Sequence, residues 1–224
     1  MESILSCLWS GYDLGMTSSG LRERKKQRTR RALIETGLRL FAANGYDETT
    51  VADICASAEL SQATFFVHFP AKEDLVFADQ PERAAAMREL IAGREPGESL
   101  RTLLLRGVDL LGVSGRWTIP QDDDLVAVRA QLITSVPALR ATALRRMFDI
   151  QAEWAQALAE AFPDELDELD AHAVIGALVG AVVSAALANI RRGAEASSMP
   201  EVIARAAGRA LDGISPAATQ PQDP

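Results

Sequence analysis

Apolar residues recur at spacings of three and four along most of the chain, the period of an α-helix, and no β pattern appears in the body of the chain. Leu33, Ile34, Leu38 and Phe41 form one such stripe, which predicts a long helix over residues 21–44 with Gly45 as its left-handed stop. Over residues 47–75, DETTVADICASAELSQATFFVHFPAKEDL, the repeats become short. Thr50 and Asp53 have the spacing of a capping box, so a helix starts at Thr50, and Val51, Ile54, Cys55 and Ala58 give it one apolar face. Ala58-Glu59-Leu60 breaks that repeat, and Ser61 is suited to cap a second helix. In the second helix Phe65 and Phe69 share one side, Gln62, Ala63, Phe66 and Val67 lie on the other, and Pro70 closes it. The first of these helices is too short to be stable alone, so both must pack on something larger. Two short helices joined by a tight turn are the pattern of a helix-turn-helix, whose second helix enters the DNA major groove. The same pattern also occurs in all-α proteins that bind no DNA.

Beyond Pro70 a helix restarts over residues 72–79, is interrupted at Gln80-Pro81, and continues over 82–92 with Ala85, Ala86, Met87 and Leu90 apolar. Further helices are predicted over 98–113, 121–134, 137–161, 169–191 and 200–211, the last capped by Ser198 and Glu201. The fold class is therefore all-α. It divides into an extension at 1–20, a three-helix head at 21–78, a helical body at 79–214 and a frayed tail at 215–224. The apolar run at 4–9 is too short for a membrane span and lacks the basic flank of a signal peptide. Translation is expected to begin at Met16, the alternative being a short tail that docks through Leu8 and Trp9.

Residues 173–190, AVIGALVGAVVSAALANI, carry no charge and have the length of a membrane span. They are mostly Ala and Gly, include Asn189 and lie among acidic amphipathic helices, which favours a helix buried on all sides and no membrane. Gly176, Gly180 and Ser184 recur there every four residues, a smooth strip against which a helix can approach closely. That helix belongs either to a partner subunit or to residues 137–161 of the same chain.

A net charge of −8 is the wrong sign for a partner of DNA, and its distribution removes the conflict. Residues 22–31, RERKKQRTRR, hold seven Lys/Arg and one Glu, a net of +6, so the rest of the chain carries −14. A basic end on an acidic body orients the molecule toward a polyanion. Catalytic signatures are missing: there is no HExxH, GxSxG, P-loop or GxGxxG, and the two histidines, His68 and His172, are far apart in sequence. Asp122-Asp123-Asp124 follow Pro120 at a helix start, where acidic residues favour the dipole without needing a cation. Cys7 and Cys55 have no metal-ligand spacing, and Cys55 on an apolar face suits a reducing, cytoplasmic setting. No enzyme activity, cofactor or metal is expected.

Asn44-Gly45-Tyr46, Thr49-Thr50-Val51, Asp53-Ile54, Ser61, Thr64, Phe66, His68-Phe69 and Lys72-Glu73-Asp74-Leu75 closely resemble, in order and spacing, the signature of the TetR family of bacterial repressors. The resemblance covers about residues 24–78; the remaining two thirds are similar only in being helical and of suitable length. Glu59 stands where a turn glycine is usual, Cys55 replaces a small alanine, and Phe66 replaces a commoner tyrosine. The resemblance implies a homodimer that binds a palindromic double-stranded DNA operator and is released by a small molecule in the body. Arg24, Lys25, Arg28, Thr50, Ser61, Thr64, His68 and Lys72 are then expected at the DNA backbone, and Gln62, Ala63 and Phe66 at base edges. The last two long helices would pair the subunits through Gly176, Gly180, Ser184, Leu187 and Ile203. The effector pocket is expected among Leu104, Val108, Leu111, Trp117, Met147, Ile150, Trp154 and Ile175, whose chemistry favours an apolar or amphipathic compound. The wording TFFVHFPAKED is also similar to actinobacterial regulators, some of which answer to acyl-CoA thioesters, so an acyl-CoA-like effector is one candidate. The competing function is a helical interaction module whose head has lost DNA binding and docks protein through Phe66 and Val67. The basic run at 22–31 argues against it.

Overall fold

Residues 18–112 and 123–212 are described by a computed structural model, and among them every regular element is helical. The expectations for Met16, for Leu8 and Trp9, for Trp117 and for the tail after residue 214 fall outside the described residues. The longest element, α1 (Ser18–Asn44), buries Leu33, Ile34, Leu38 and Phe41 along its second half and ends at Gly45, whose φ of 93° is left-handed. Against this stripe pack α2 (Val51–Ser57) and α3 (Gln62–His68), through Ile54, Cys55, Phe65 and Phe69. Gly37 is where the approach is closest: a Cβ there would stand 2.5 Å from Leu75 Cδ1.

The segment after Pro70 differs from its expectation. Lys72–Leu75 is a single 3-10 turn, residues 76–79 continue as turns, and α4 (Gln80–Ala92) starts at Gln80 itself. Pro81 opens that helix instead of interrupting one, because the N–H it lacks would be unpaired in a first turn anyway. The rest of the body is α5 (Leu100–Gly112), α6 (Asp123–Ser135), α7 (Pro137–Ala161), α8 (Glu168–Arg191) and α9 (Met199–Asp212). Ser198 does not form a capping box with Glu201; its hydroxyl donates to Glu195 O at 2.7 Å in a 3-10 turn and accepts from Asn189 Nδ2 at 2.9 Å.

Two apolar cores result. The head core continues beyond Leu75, Val76 and Phe77 into Leu125 and Leu132 of α6 and Leu139 of α7, so the head rests directly on the body. The second core gathers Met87, Ile91, Leu103, Leu104, Trp154 and Leu158 from α4, α5 and α7, and Phe162 just after α7, with Ala171, Val174, Ile175 and Leu178 of α8. Among the described helices α8 alone is long and apolar enough to cross a membrane, a weak indication that many core helices share. Within the single chain one side of it is exposed, at Ala173, Ala177, Val183, Ser184 and Ala188, where burial against a partner subunit was expected.

Candidate functional site

Thr50 accepts from Asp53 N at 3.1 Å, and Asp53 Oδ2 accepts from Thr50 N at 2.9 Å and from the Thr50 hydroxyl at 2.6 Å. These bonds, the hydroxyl first, hold the Asp53 carboxyl below the usual carboxylate range. After Ala58 the chain reverses at Glu59, whose φ of 54° is left-handed, the position where a glycine is commoner. Ser61 then caps α3 by accepting from Thr64 N at 3.0 Å, with the two hydroxyls 2.8 Å apart. Phe65 and Phe69 fix α3 to the head core with rings 5.7 Å apart, which turns Gln62, Ala63, Phe66 and Val67 outward. Phe66 is 54% exposed and Val67 77%, on a helix otherwise anchored by its buried side.

Arg24, Lys25 and Arg28 are exposed on the first half of α1. Arg30, one more cation of the same run in sequence, has a different role. Its guanidinium lies 4.5 Å from the centre of the Phe69 ring and donates to His68 O at 3.2 Å and to Ala78 O at 2.7 Å. A cation on the last carbonyls of α3 favours the helix dipole and joins the recognition helix to α1. Sequence reasoning missed it because its partners lie 38 and 48 residues away. His68 is half-buried and its Nδ1 finds no hydrogen-bond partner among the described residues. Burial, then the charges of Arg30 and Lys26, lower its pKa, so the ring is neutral at pH 7 and is no ion-pairing partner for a phosphate. Lys72, expected at the DNA backbone, also has contacts within the chain: Nζ donates to Tyr46 O at 2.8 Å and to Thr49 O at 3.1 Å, 4.2 Å from the Tyr46 ring centre. It ties down the loop that leads into α2.

A cavity of about 440 Å³ lies in the body between α4, α5, α6, α7 and α8. Val108, Leu111, Met147, Ile150, Trp154 and Ile175, which the sequence assigned to an effector pocket, line this cavity. Leu104 is fully buried in the neighbouring core and is not among the lining residues. Trp154 is held by an indole N–H donated to Ala84 O at 3.2 Å. The wall also includes Ile203, expected between subunits, and four polar residues that the sequence did not single out: Asp79, Gln80, Arg83 and Arg129. Asp79 has no exposed surface; Oδ2 accepts from Arg83 Nε at 2.7 Å and Arg129 Nη1 at 3.1 Å, and Oδ1 from Arg129 Nη2 at 2.7 Å. Burial pushes this carboxyl up, but the two guanidinium charges and their hydrogen bonds outweigh it and hold the group below the usual range. Arg129 also donates to Val76 O at 2.6 Å and Arg83 to Leu111 O at 2.9 Å, so this cluster connects α4, α5, α6 and the segment leading out of the head.

The small-residue strip of α8 divides. Gly176 faces α7, where a Cβ would lie 3.8 Å from Gln151 Oε1, whereas a Cβ at Gly180 would meet nothing within 4 Å. Ser184 is exposed and Leu187 half-buried. The outward strip is Ala173, Ala177, Gly180, Ser184 and Ala188, one step around the helix from the spacing of four that the sequence suggested.

Residues 33–78 match the family described as bacterial regulatory proteins, tetR family, and residues 118–215 match the MftR C-terminal domain. The HTH-type transcriptional regulator TcmR of Streptomyces glaucescens is 33% identical over 159 residues, which are 66% of this chain and 67% of that protein. The "Probable acrEF/envCD operon repressor" of Escherichia coli K12 is 33% identical over 90 residues, 38% of this chain and 41% of its own length. A TerR/AcrR-family regulator from Aquifex aeolicus VF5 shares the fold with a TM-score of 0.51 at 20% identity, over 82% of this chain and 99% of that one. With a capped, outward-facing recognition helix, a basic α1 and relatives over both halves, the chain belongs to the TetR family of bacterial DNA-binding transcriptional regulators.

Proposed function

We propose that the chain represses transcription as a homodimer on a palindromic operator and leaves it when an apolar or amphipathic compound enters the body cavity. One observation carries this: the recognition helix and the cavity are joined by a single short segment. Phe69 anchors α3, and eight residues later Phe77, followed by Asp79, Gln80 and Arg83, forms part of the cavity wall. A compound that reshapes this wall acts on the support of α3, and coupling of this kind runs in both directions. On DNA, Gln62 reads a base edge, Ala63 or Phe66 meets a thymine methyl, and Thr50, Ser61, Thr64, Arg24, Lys25 and Arg28 hold phosphates. The acyl tail of an acyl-CoA-like compound is compatible with the apolar wall. The subunits pair along the outward strip of α8.

Selection of duplexes from a random pool, followed by footprinting and sedimentation, tests this. The expected result is an inverted repeat bound by two chains, with log affinity falling linearly against log salt. A pool without enrichment at moderate salt would instead favour protein docking through the exposed Phe66 and Val67.

A further inference from the structure

We propose that the body cavity takes an uncharged compound, an apolar skeleton carrying a carbonyl or hydroxyl group that the side-chain amide of Gln80 hydrogen-bonds. This rests on the cavity being the effector site and narrows what that site takes. Among the described lining residues four are polar, Asp79, Gln80, Arg83 and Arg129; the rest of the wall, with Met147, Ile150, Trp154, Val182 and Ile203, is apolar. Its volume is within the range of about 300–1,000 Å³ usual for small-molecule sites.

The charged groups of the wall already satisfy one another and the backbone. All three guanidinium nitrogens of Arg129 donate within the chain, Nε to Val76 O and the other two to Asp79. Arg83 donates from Nε to Asp79 and from Nη1 to Leu111 O, and it has a further interaction besides. A carboxylate entering the cavity therefore meets donors that have acceptors. It either stays without a full partner or draws a guanidinium away from the fully buried Asp79, and each outcome leaves a desolvated carboxylate poorly compensated. A cationic head comes to lie beside two guanidiniums, with the one carboxylate of the wall enclosed between them. An uncharged compound makes neither demand. Gln80 is the polar group left over: it is half-buried, and its side chain makes no hydrogen bond among the described residues. Its amide both donates and accepts, so it suits a carbonyl or a hydroxyl. An occupant that excludes water from this amide without replacing the lost bond binds less well than one that replaces it.

Calorimetry on the full chain with decanol, methyl nonanoate, decanoate and decyltrimethylammonium, all below their micellar concentrations, tests the proposal. At about pH 8 the alcohol and the ester are each expected to bind about tenfold or more tightly than either ion. Decanoate should gain about tenfold in apparent affinity for each pH unit lowered between about 8 and 6, because its protonated form is the one that fits, while decanol stays level. Gln80→Met keeps the length of the side chain and removes the amide. It should weaken decanol and methyl nonanoate about threefold to tenfold and leave the melting temperature unchanged, since no hydrogen bond within the chain is lost. Should that variant fail to fold by circular dichroism, the wild-type ranking and the pH slope decide. Decanoate that matches decanol at about pH 8, or binds equally well across the pH range, overturns the uncharged occupant and leaves the cavity as the effector site. Affinities untouched by Gln80→Met overturn the role of the amide; binding of no probe removes both the occupant and the site.

Discussion

Glu59 holds a backbone conformation that an L-residue adopts at a cost of about 1–2 kcal/mol, because its Cβ crowds the following carbonyl. Among the described residues its exposed side chain makes no hydrogen bond that would offset this; the backbone N–H donates to Ala56 O at 3.3 Å. Glu59→Gly relieves the crowding but gives the unfolded chain more freedom, so the net gain should be smaller, about 0.5–1 kcal/mol. A higher urea midpoint with an unchanged slope would show it; a lower midpoint would mean that Glu59 is held by its surroundings. Gln62 has the opposite character, since it is exposed and its environment makes no demand on it within the chain. Gln62→Ala should leave stability unchanged, cost about 1–3 kcal/mol on the operator and relax preference at one position per half-site. Uniform weakening over all operator variants would reduce Gln62 to a positioning residue. Lys72 contrasts with both, as its two bonds to loop carbonyls make Lys72→Ala a change in loop order before it is a change in charge.

The helices were largely legible in the sequence, because each has a local cause: the Thr50 and Ser61 caps, Gly45 at a left-handed stop, and the buried face of Phe65 and Phe69. The segment after Pro70 was not, since Pro81 is compatible both with breaking a helix and with starting one. What the sequence hid were pairings at long range. Arg30 is one of seven cations in a run, and only the fold sets it on the end of α3. Asp79, which the sequence pattern sets at the end of a helix over 72–79, is the buried centre that joins α4 to α6. Its carboxyl is lowered in the folded chain relative to about 3.9 in the unfolded one, so its contribution is fully present above that value and is lost as pH falls through the lower one. Asp79→Asn should cost about 2–3 kcal/mol near pH 7, less than for a fully buried pair because both arginines reach solvent. Urea unfolding from pH 7 down to acid should show the wild-type and variant curves converging below about pH 4. A gap that stayed constant with pH would mean that packing, not charge, fixes this residue.

The whole molecule presents an apolar helix whose outer side the single chain leaves uncovered, the side along which the proposed dimer pairs. Leu169 is 79% exposed and Val183 38%, flanking the outward strip of Ala173, Ala177, Gly180, Ser184 and Ala188. The sequence found the strip but not its exact face, because spacings of three and four look alike until a neighbour fixes the rotation; Gly176 turned out to face Gln151 of α7. Ile203, expected between subunits, lines the cavity. Gly180 separates the two surfaces cleanly. A side chain there meets nothing within its own subunit, and replacing a helical glycine by leucine favours the helix by nearly 1 kcal/mol. A facing α8 at contact distance would have no room for it, at roughly 1–3 kcal/mol per overpacked site, and two-fold symmetry imposes the clash on both chains. Gly180→Leu should therefore give a subunit that stays helical by circular dichroism, sediments as a monomer or a much weaker dimer, and loses operator affinity with every DNA-facing residue intact. The loss follows because each half-site is then bound alone. A dimer of normal strength would move the interface elsewhere on α8 and α9, and a normal dimer with a lowered melting temperature would return Gly180 to the packing of its own chain.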